Sequence, residues 1–208
     1  MSFINMFGRS ANELKNVRCL AVTGVLSSLY IVLNAYVALN IGAPLRITFG
    51  FLALAIIGML YGPVVAVIAA IPCDLLAATL DPHNAMNPIF TPNRALEALI
   101  YGLLLYGLLN VSYKDSVKQK AIFILKMTAA RLIVIIICYF FVNNFLIFTF
   151  LLPAETTQRI LSEGTFFAWA WARNGIKNIV QFPVDLSLMY IMLPAAGIAY
   201  TRTIRRVT

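Results

Sequence analysis

"APLRITFGFLALAIIGMLYGPVV", residues 43–65, sets the class of fold. It carries a single charge, Arg46, at its leading edge, then an apolar run that breaks at "YGP" and resumes at once. Two apolar segments joined by so tight a turn leave no room for a polar loop. They read as a helical hairpin whose flanks are not water. The arginine has three readings on its own: a lipid-interface anchor, a topology signal, or half of a binding site.

The whole chain has the same character. It holds 208 residues, of which 61% are hydrophobic and 12% charged, with a mean hydropathy of +0.86. Soluble domains carry about 25% charged residues, and a water-soluble chain of this size has too little interior to hide so much apolar surface. The composition predicts one integral membrane domain over residues 1–208 with the lipid bilayer as solvent. The start, "MSFINMFGRSANELKNVR", is polar and lacks the apolar core of a cleavable signal peptide, so the first apolar segment is expected to act as its own insertion signal.

Six apolar segments follow: 18–39, 46–60, 63–80, 94–109, 121–152 and 168–200. A span needs about 20 residues, so the second and fourth are short and the last two are long enough to tilt or project. Six spans place both termini on one face. That face carries Arg9, Lys15, Arg18, Lys114, Lys118, Lys120, Lys126, Arg202, Arg205 and Arg206 against Glu13 and Asp115. The other face is nearly balanced. The positive-inside rule makes the first face cytoplasmic. The net charge of +8 is then mostly a topology signal and does not call for nucleic acid. The long connections 81–93 and 153–167, rich in Pro, Asn and Thr, fall on the outer face, where function is expected.

Three charges sit in the wrong solvent. Asp74, Arg131 and Asp185 lie within apolar runs, and each costs about 2.5–3.5 kcal/mol at a bilayer centre unless it is paired or faces a wet cavity. A buried ion pair and a proton-coupling site are both open readings. In the last segment, taking ~100° per residue from Arg173 as zero, Lys177, Gln181, Asn174, Asp185 and Asn178 fall between about 40° and 140°. Such a polar stripe is expected to face the protein interior.

Arg46, Arg94, Arg173 and Lys177 gather at one level, with Trp169, Phe49 and Phe90 near them in sequence. This set suits either an interfacial aromatic and basic belt or a pocket for a flat anionic molecule, stacked on rings and clamped by cations. Asn87, Asn93, Glu97 and Asp185 can read ring nitrogens. On the first segment, Ala21, Gly24, Ser27 and Ser28 form a small-residue face for another helix of this chain or of a partner. Cys19, Cys73 and Cys138 are scattered and His83 is the single histidine, so neither a metal site nor a cofactor is expected. No nucleophile or zinc motif marks an enzyme, and no internal repeat marks a solitary secondary transporter.

Four stretches, "NELKNVRCLAVTGVLSSLYIVL" (12–33), "LRITFGFLALAIIGMLYGPVVAVIAAIPCDLL" (45–76), "RALEALIYGLLLY" (94–106) and "RNGIKNIVQFPVDL" (173–186), resemble in order the substrate-binding S-component of energy-coupling factor (ECF) vitamin transporters, most of all the folate type. The resemblance implies an all-α bundle of six transmembrane helices with both termini cytoplasmic, in a bacterial cell membrane. It implies an outward-facing pocket for a water-soluble vitamin, folate by preference and pantothenate as the alternative. It also implies a transmembrane T-component and two partner ATPases, docked through Ala21, Gly24, Ser27 and Ser28, with Val25 standing where the family's face has a second alanine.

Overall fold

The computed structural model describes residues 3–37, 39–40, 46–80, 88–108 and 117–203. Among these the chain is almost wholly helical. An amphipathic helix α1 (Phe3–Glu13) precedes α2 (Val17–Ala35). A two-residue antiparallel ladder, β1 (Leu39–Asn40) with β2 (Arg46–Ile47), leads into α3 (Phe51–Tyr61) and α4 (Pro63–Leu80). A 3₁₀ turn (Pro88–Phe90) starts α5 (Thr91–Leu105). Then α6 (Val117–Val134), a π-helical segment (Ile135–Val142) and α7 (Asn143–Phe150) run on as one rod. The short α8 (Ala154–Ser162) leads to α9 (Phe166–Thr203).

Among the described residues, four helical stretches are long and apolar enough to cross a membrane: Val17–Ala35, Pro63–Leu80, Lys118–Phe150 and Lys177–Arg202. The apolar segment expected from Arg46 is helical only from Phe51. Arg46 pairs with Asn40 in the ladder instead, and its backbone is extended. At 11 residues, α3 is about 16 Å long, half a hydrocarbon core. Its apolar composition answers to the protein interior and not to lipid, because every one of its residues is buried.

That burial requires close approach. A Cβ on Gly58 of α3 would sit 2.8 Å from the backbone nitrogen of Gly102 on α5, and one on Gly102 would strike Pro63. The two glycines let α3, α4 and α5 pack backbone to backbone. The turn between α3 and α4 rests on Gly62, whose φ of 87° lies in the left-handed region that favours glycine.

The polar leader expected at residues 1–18 is mostly helix, and it has a structural task. Ser10 of α1 is fully buried; its hydroxyl donates to the Tyr61 carbonyl (2.7 Å) and accepts from the backbone N–H of Val64 (3.0 Å) and Val65 (3.3 Å). It caps the start of α4 from another helix.

Candidate functional site

A polar network crosses the middle of the bundle. Asp74 on α4 accepts hydrogen bonds from Thr91 Oγ1 (2.9 Å) and Tyr30 OH (3.4 Å), and Arg94 Nε stands 3.7 Å from it. Arg94 Nη1 donates to Glu97 Oε2 (2.8 Å) and to Tyr139 OH (2.9 Å). Glu97 also faces Arg131 Nη1 (3.4 Å) and accepts from Tyr139 OH (3.2 Å). Arg131 donates to Tyr101 OH (2.7 Å) and pairs with Asp185 on α9. Its guanidinium also lies over the Phe51 ring, 4.1 Å from the centroid.

The sequence order of charges thus becomes a spatial chain, Asp74, Arg94, Glu97, Arg131, Asp185, alternating in sign across α4, α5, α6 and α9. Glu97, Arg131 and Asp185 are each at most 1% exposed. Burying any one alone would cost several kcal/mol, and the alternation gives each a partner. The aspartates divide the arginines between them: Arg131 takes Asp185, and Asp74 faces Arg94.

The π segment matters to this geometry. Bonds of the i→i+5 type widen the helix, and such segments concentrate at functional sites. Here the segment carries Tyr139, which bridges Arg94 and Glu97, and Cys138, whose carbonyl accepts from Asn93 Nδ2 (3.1 Å).

One end of the network opens into a polar cavity of about 160 Å³, lined by Tyr30, Asn34, Thr48, Asp74, Arg94, Tyr139, Lys177 and Gln181 among others. Of the ligand-binding residues expected from sequence, Arg94 and Lys177 line it. Glu97 lies beneath, held by Arg94. Asn93 is buried but turned to Cys138, away from the cavity. Phe90 and Phe49 are partly buried and do not line it. Trp169 stacks among Phe148 and Phe166 and carries Arg173 over its ring at 5.8 Å; Arg173 itself is exposed. The backbone of Arg46 is described but its side chain is not, and Asn87 lies outside the described residues.

The α9 stripe is narrower than its helical projection. Gln181 and Asp185 are buried inward and Lys177 lines the cavity, while Asn174 is buried and donates to Asn144 Oδ1 (2.6 Å). Arg173 and Asn178, at the two edges of the arc, leave this interior. Sequence reasoning missed Tyr30, Asn34, Thr48 and Tyr139. Tyr30 and Asn34 are one helical turn apart, a signal the apolar setting of α2 concealed.

On α2, Ala21, Gly24 and Ser28 are exposed, Ser27 partly so, and a Cβ on Gly24 would meet nothing within 4 Å. The Ser28 hydroxyl is turned back onto the Gly24 carbonyl (3.1 Å). The face is smooth and uncovered by the described residues of this chain.

Apolar helices around a buried polar network, with a small cavity at one end, define the fold of a membrane protein. The family model "ECF transporter, substrate-specific component" matches residues 18–193, and the chain belongs to that family. It is 34% identical over 95 residues to the folate transporter FolT of Clostridium novyi (strain NT), an alignment that spans 45% of this chain and 54% of that protein. It is 23% identical over 188 residues to FolT of Leuconostoc mesenteroides subsp. mesenteroides, across 89% of this chain and 90% of the relative. Its fold is similar to a crystal structure of FolT bound with folic acid, with a TM-score of 0.61 and 23% identity, covering 82% of this chain and 89% of the other. The family is one of transporter substrate-binding components, not of catalysts.

Proposed function

We propose that this chain is the high-affinity folate-binding subunit of an ECF transporter in a bacterial plasma membrane. The carrying observation is the Asp74–Arg94 pair exposed at the floor of a polar cavity walled by Tyr30 and Tyr139. A carboxylate beside a guanidinium offers both an acceptor and donors to the edge of a fused nitrogen ring. The curated relatives named FolT support folate over pantothenate, which has no such ring.

Arg94 is a poor clamp for a free carboxylate, because Glu97 and Asp74 already neutralise it. It serves the ring. The cavity is smaller than the about 300 Å³ at which pockets for drug-sized ligands begin, so it takes the ring alone. The acidic tail of the ligand then points up α9, toward Lys177 and, one turn further, Arg173.

Six spans with cytoplasmic termini fit the distribution of Lys and Arg. The same topology puts α1 and its Ser10 cap on the cytoplasmic side and α8 on the outer side. Transport then needs a T-component and two ATPases, with the open face of α2 as the docking surface.

Proteoliposomes test this reading. Folate uptake should require the partner subunits and ATP. Uptake by this chain alone under a proton or sodium gradient would establish a secondary transporter instead.

A further inference from the structure

Glu97 does not line the polar cavity, yet it holds two of the groups that do, Arg94 and Tyr139. Its carboxylate is buried and fixed from three sides. Oε2 accepts from Arg94 Nη1 at 2.8 Å, Tyr139 OH donates toward both oxygens at 3.2 and 3.3 Å, and Arg131 Nη1 stands 3.4 Å from Oε1. Arg131 is itself committed to Asp185 and to Tyr101 OH, so it does not draw Glu97 away from Arg94.

This arrangement decides what Arg94 can take. A guanidinium receives a free carboxylate through a fork of two parallel N–H bonds. Nη1 carries two N–H bonds, and both have acceptors, Glu97 Oε2 and, at 2.9 Å, Tyr139 OH. That closes the fork at the end of the guanidinium. Nε, which belongs to the side fork, faces Asp74 at 3.7 Å. Charge works in the same direction. Among the described residues the floor of the cavity carries Asp74 and Arg94, and Glu97 directly beneath sets two carboxylates against that one cation. Arg131 and Asp185, next in the chain, pair with each other. A ligand that put its own carboxylate on this floor would meet a spent guanidinium and two like charges, screened far less than in water. A neutral amide edge meets no such repulsion, and its N–H can donate to Asp74.

We propose that Glu97 is the specificity-determining residue of the cavity. It acts through Arg94 without touching the ligand. It turns the floor toward neutral ring edges that carry an N–H donor, and against flat carboxylates of the same size. The proposal rests on the reading of this cavity as the site of the folate ring.

The probes are 2-naphthamide and 2-naphthoate, fused two-ring molecules alike in shape and different by one charge. Ligand-observed NMR on the full chain in detergent gives a dissociation constant for each, and their ratio is the amide preference. The wild type should prefer the amide. Glu97→Gln keeps the volume and an acceptor for Arg94 but removes the charge, and the preference should fall at least about ten-fold. Tyr139→Phe frees one N–H of Nη1 and leaves the charge, so the preference should fall in the same direction by less. Glu97→Asp restores the charge and should keep the wild-type order. A Glu97 that only supports the fold would weaken both probes together and leave the ratio as it was. An unchanged ratio in Glu97→Gln or, if that variant does not fold, in Tyr139→Phe would overturn the proposal. So would a wild type that prefers the acid or binds neither probe. Folate titrated into the same wild-type preparation keeps the two readings apart. Absence of folate binding sinks the folate site, whereas folate binding with an unchanged ratio in the variants sinks the role of Glu97 alone.

Discussion

Removing Asp185 should expose how much the bundle depends on its buried charges. In Asp185→Leu, Arg131 keeps Tyr101 OH at 2.7 Å, Glu97 at 3.4 Å and the Phe51 face at 4.1 Å, but loses its directly paired carboxylate. Breaking a buried pair from one side costs about 3–5 kcal/mol. The remaining partners put the loss near the lower end, about 3 kcal/mol, since a hydrogen bond to a charged group contributes about 1.5–3 kcal/mol. For a chain of this length, 1 kcal/mol moves the melting temperature by about 2–4 °C, so Asp185→Leu should melt about 6–12 °C lower in detergent. The double variant Arg131→Met/Asp185→Leu removes both charges and leaves Glu97 with Arg94. It should recover at least half of that loss, because apolar replacement of a whole buried pair is often neutral. A single variant melting within about 2 °C of wild type, or strictly additive losses in the double variant, would refute the coupling.

Two further perturbations separate folding from transport. Ser10→Ala strips the cap from the α3–α4 turn and leaves the Val64 and Val65 N–H groups without their hydroxyl acceptor; denaturation should show a loss of about 1–3 kcal/mol, with ligand affinity unchanged. Gly24→Leu adds a bulky side chain to a face where a Cβ meets nothing within 4 Å. The isolated protein should melt and bind ligand as before, while pull-down of the partner subunits and ATP-driven uptake should fall at least ten-fold.

Much of the helical layout was legible because hydropathy reports it. The run from Pro63 to Leu80 is apolar apart from Asp74 and Thr79, and it is helix α4. The interior charges stood out for the same reason: Asp74, Arg131 and Asp185 contrast with everything around them. Their pairing was not legible, because it depends on helix rotation, and Arg131 could have met either aspartate on sequence grounds. Tyr139 was hidden by the π segment, since a 3.6-residue projection places it wrongly. Arg46 misled in another way: an apolar run in front of a helix looks like helix, although β1 and β2 hold the first two residues extended. Arg173 shows the limit of a helical wheel, which gives an angle but not the distance along α9 at which the interior ends.

Calorimetric titration of folate into the purified chain, with no partner subunit and no ATP, bears on the site itself. One folate should bind per chain with a dissociation constant in the nanomolar range, about −12 kcal/mol. Asp74→Asn should weaken it at least about ten-fold, the loss of one charge-assisted hydrogen bond. Absence of folate binding, or an affinity indifferent to Asp74→Asn in a protein that melts normally, would show that this cavity is not where the vitamin is read.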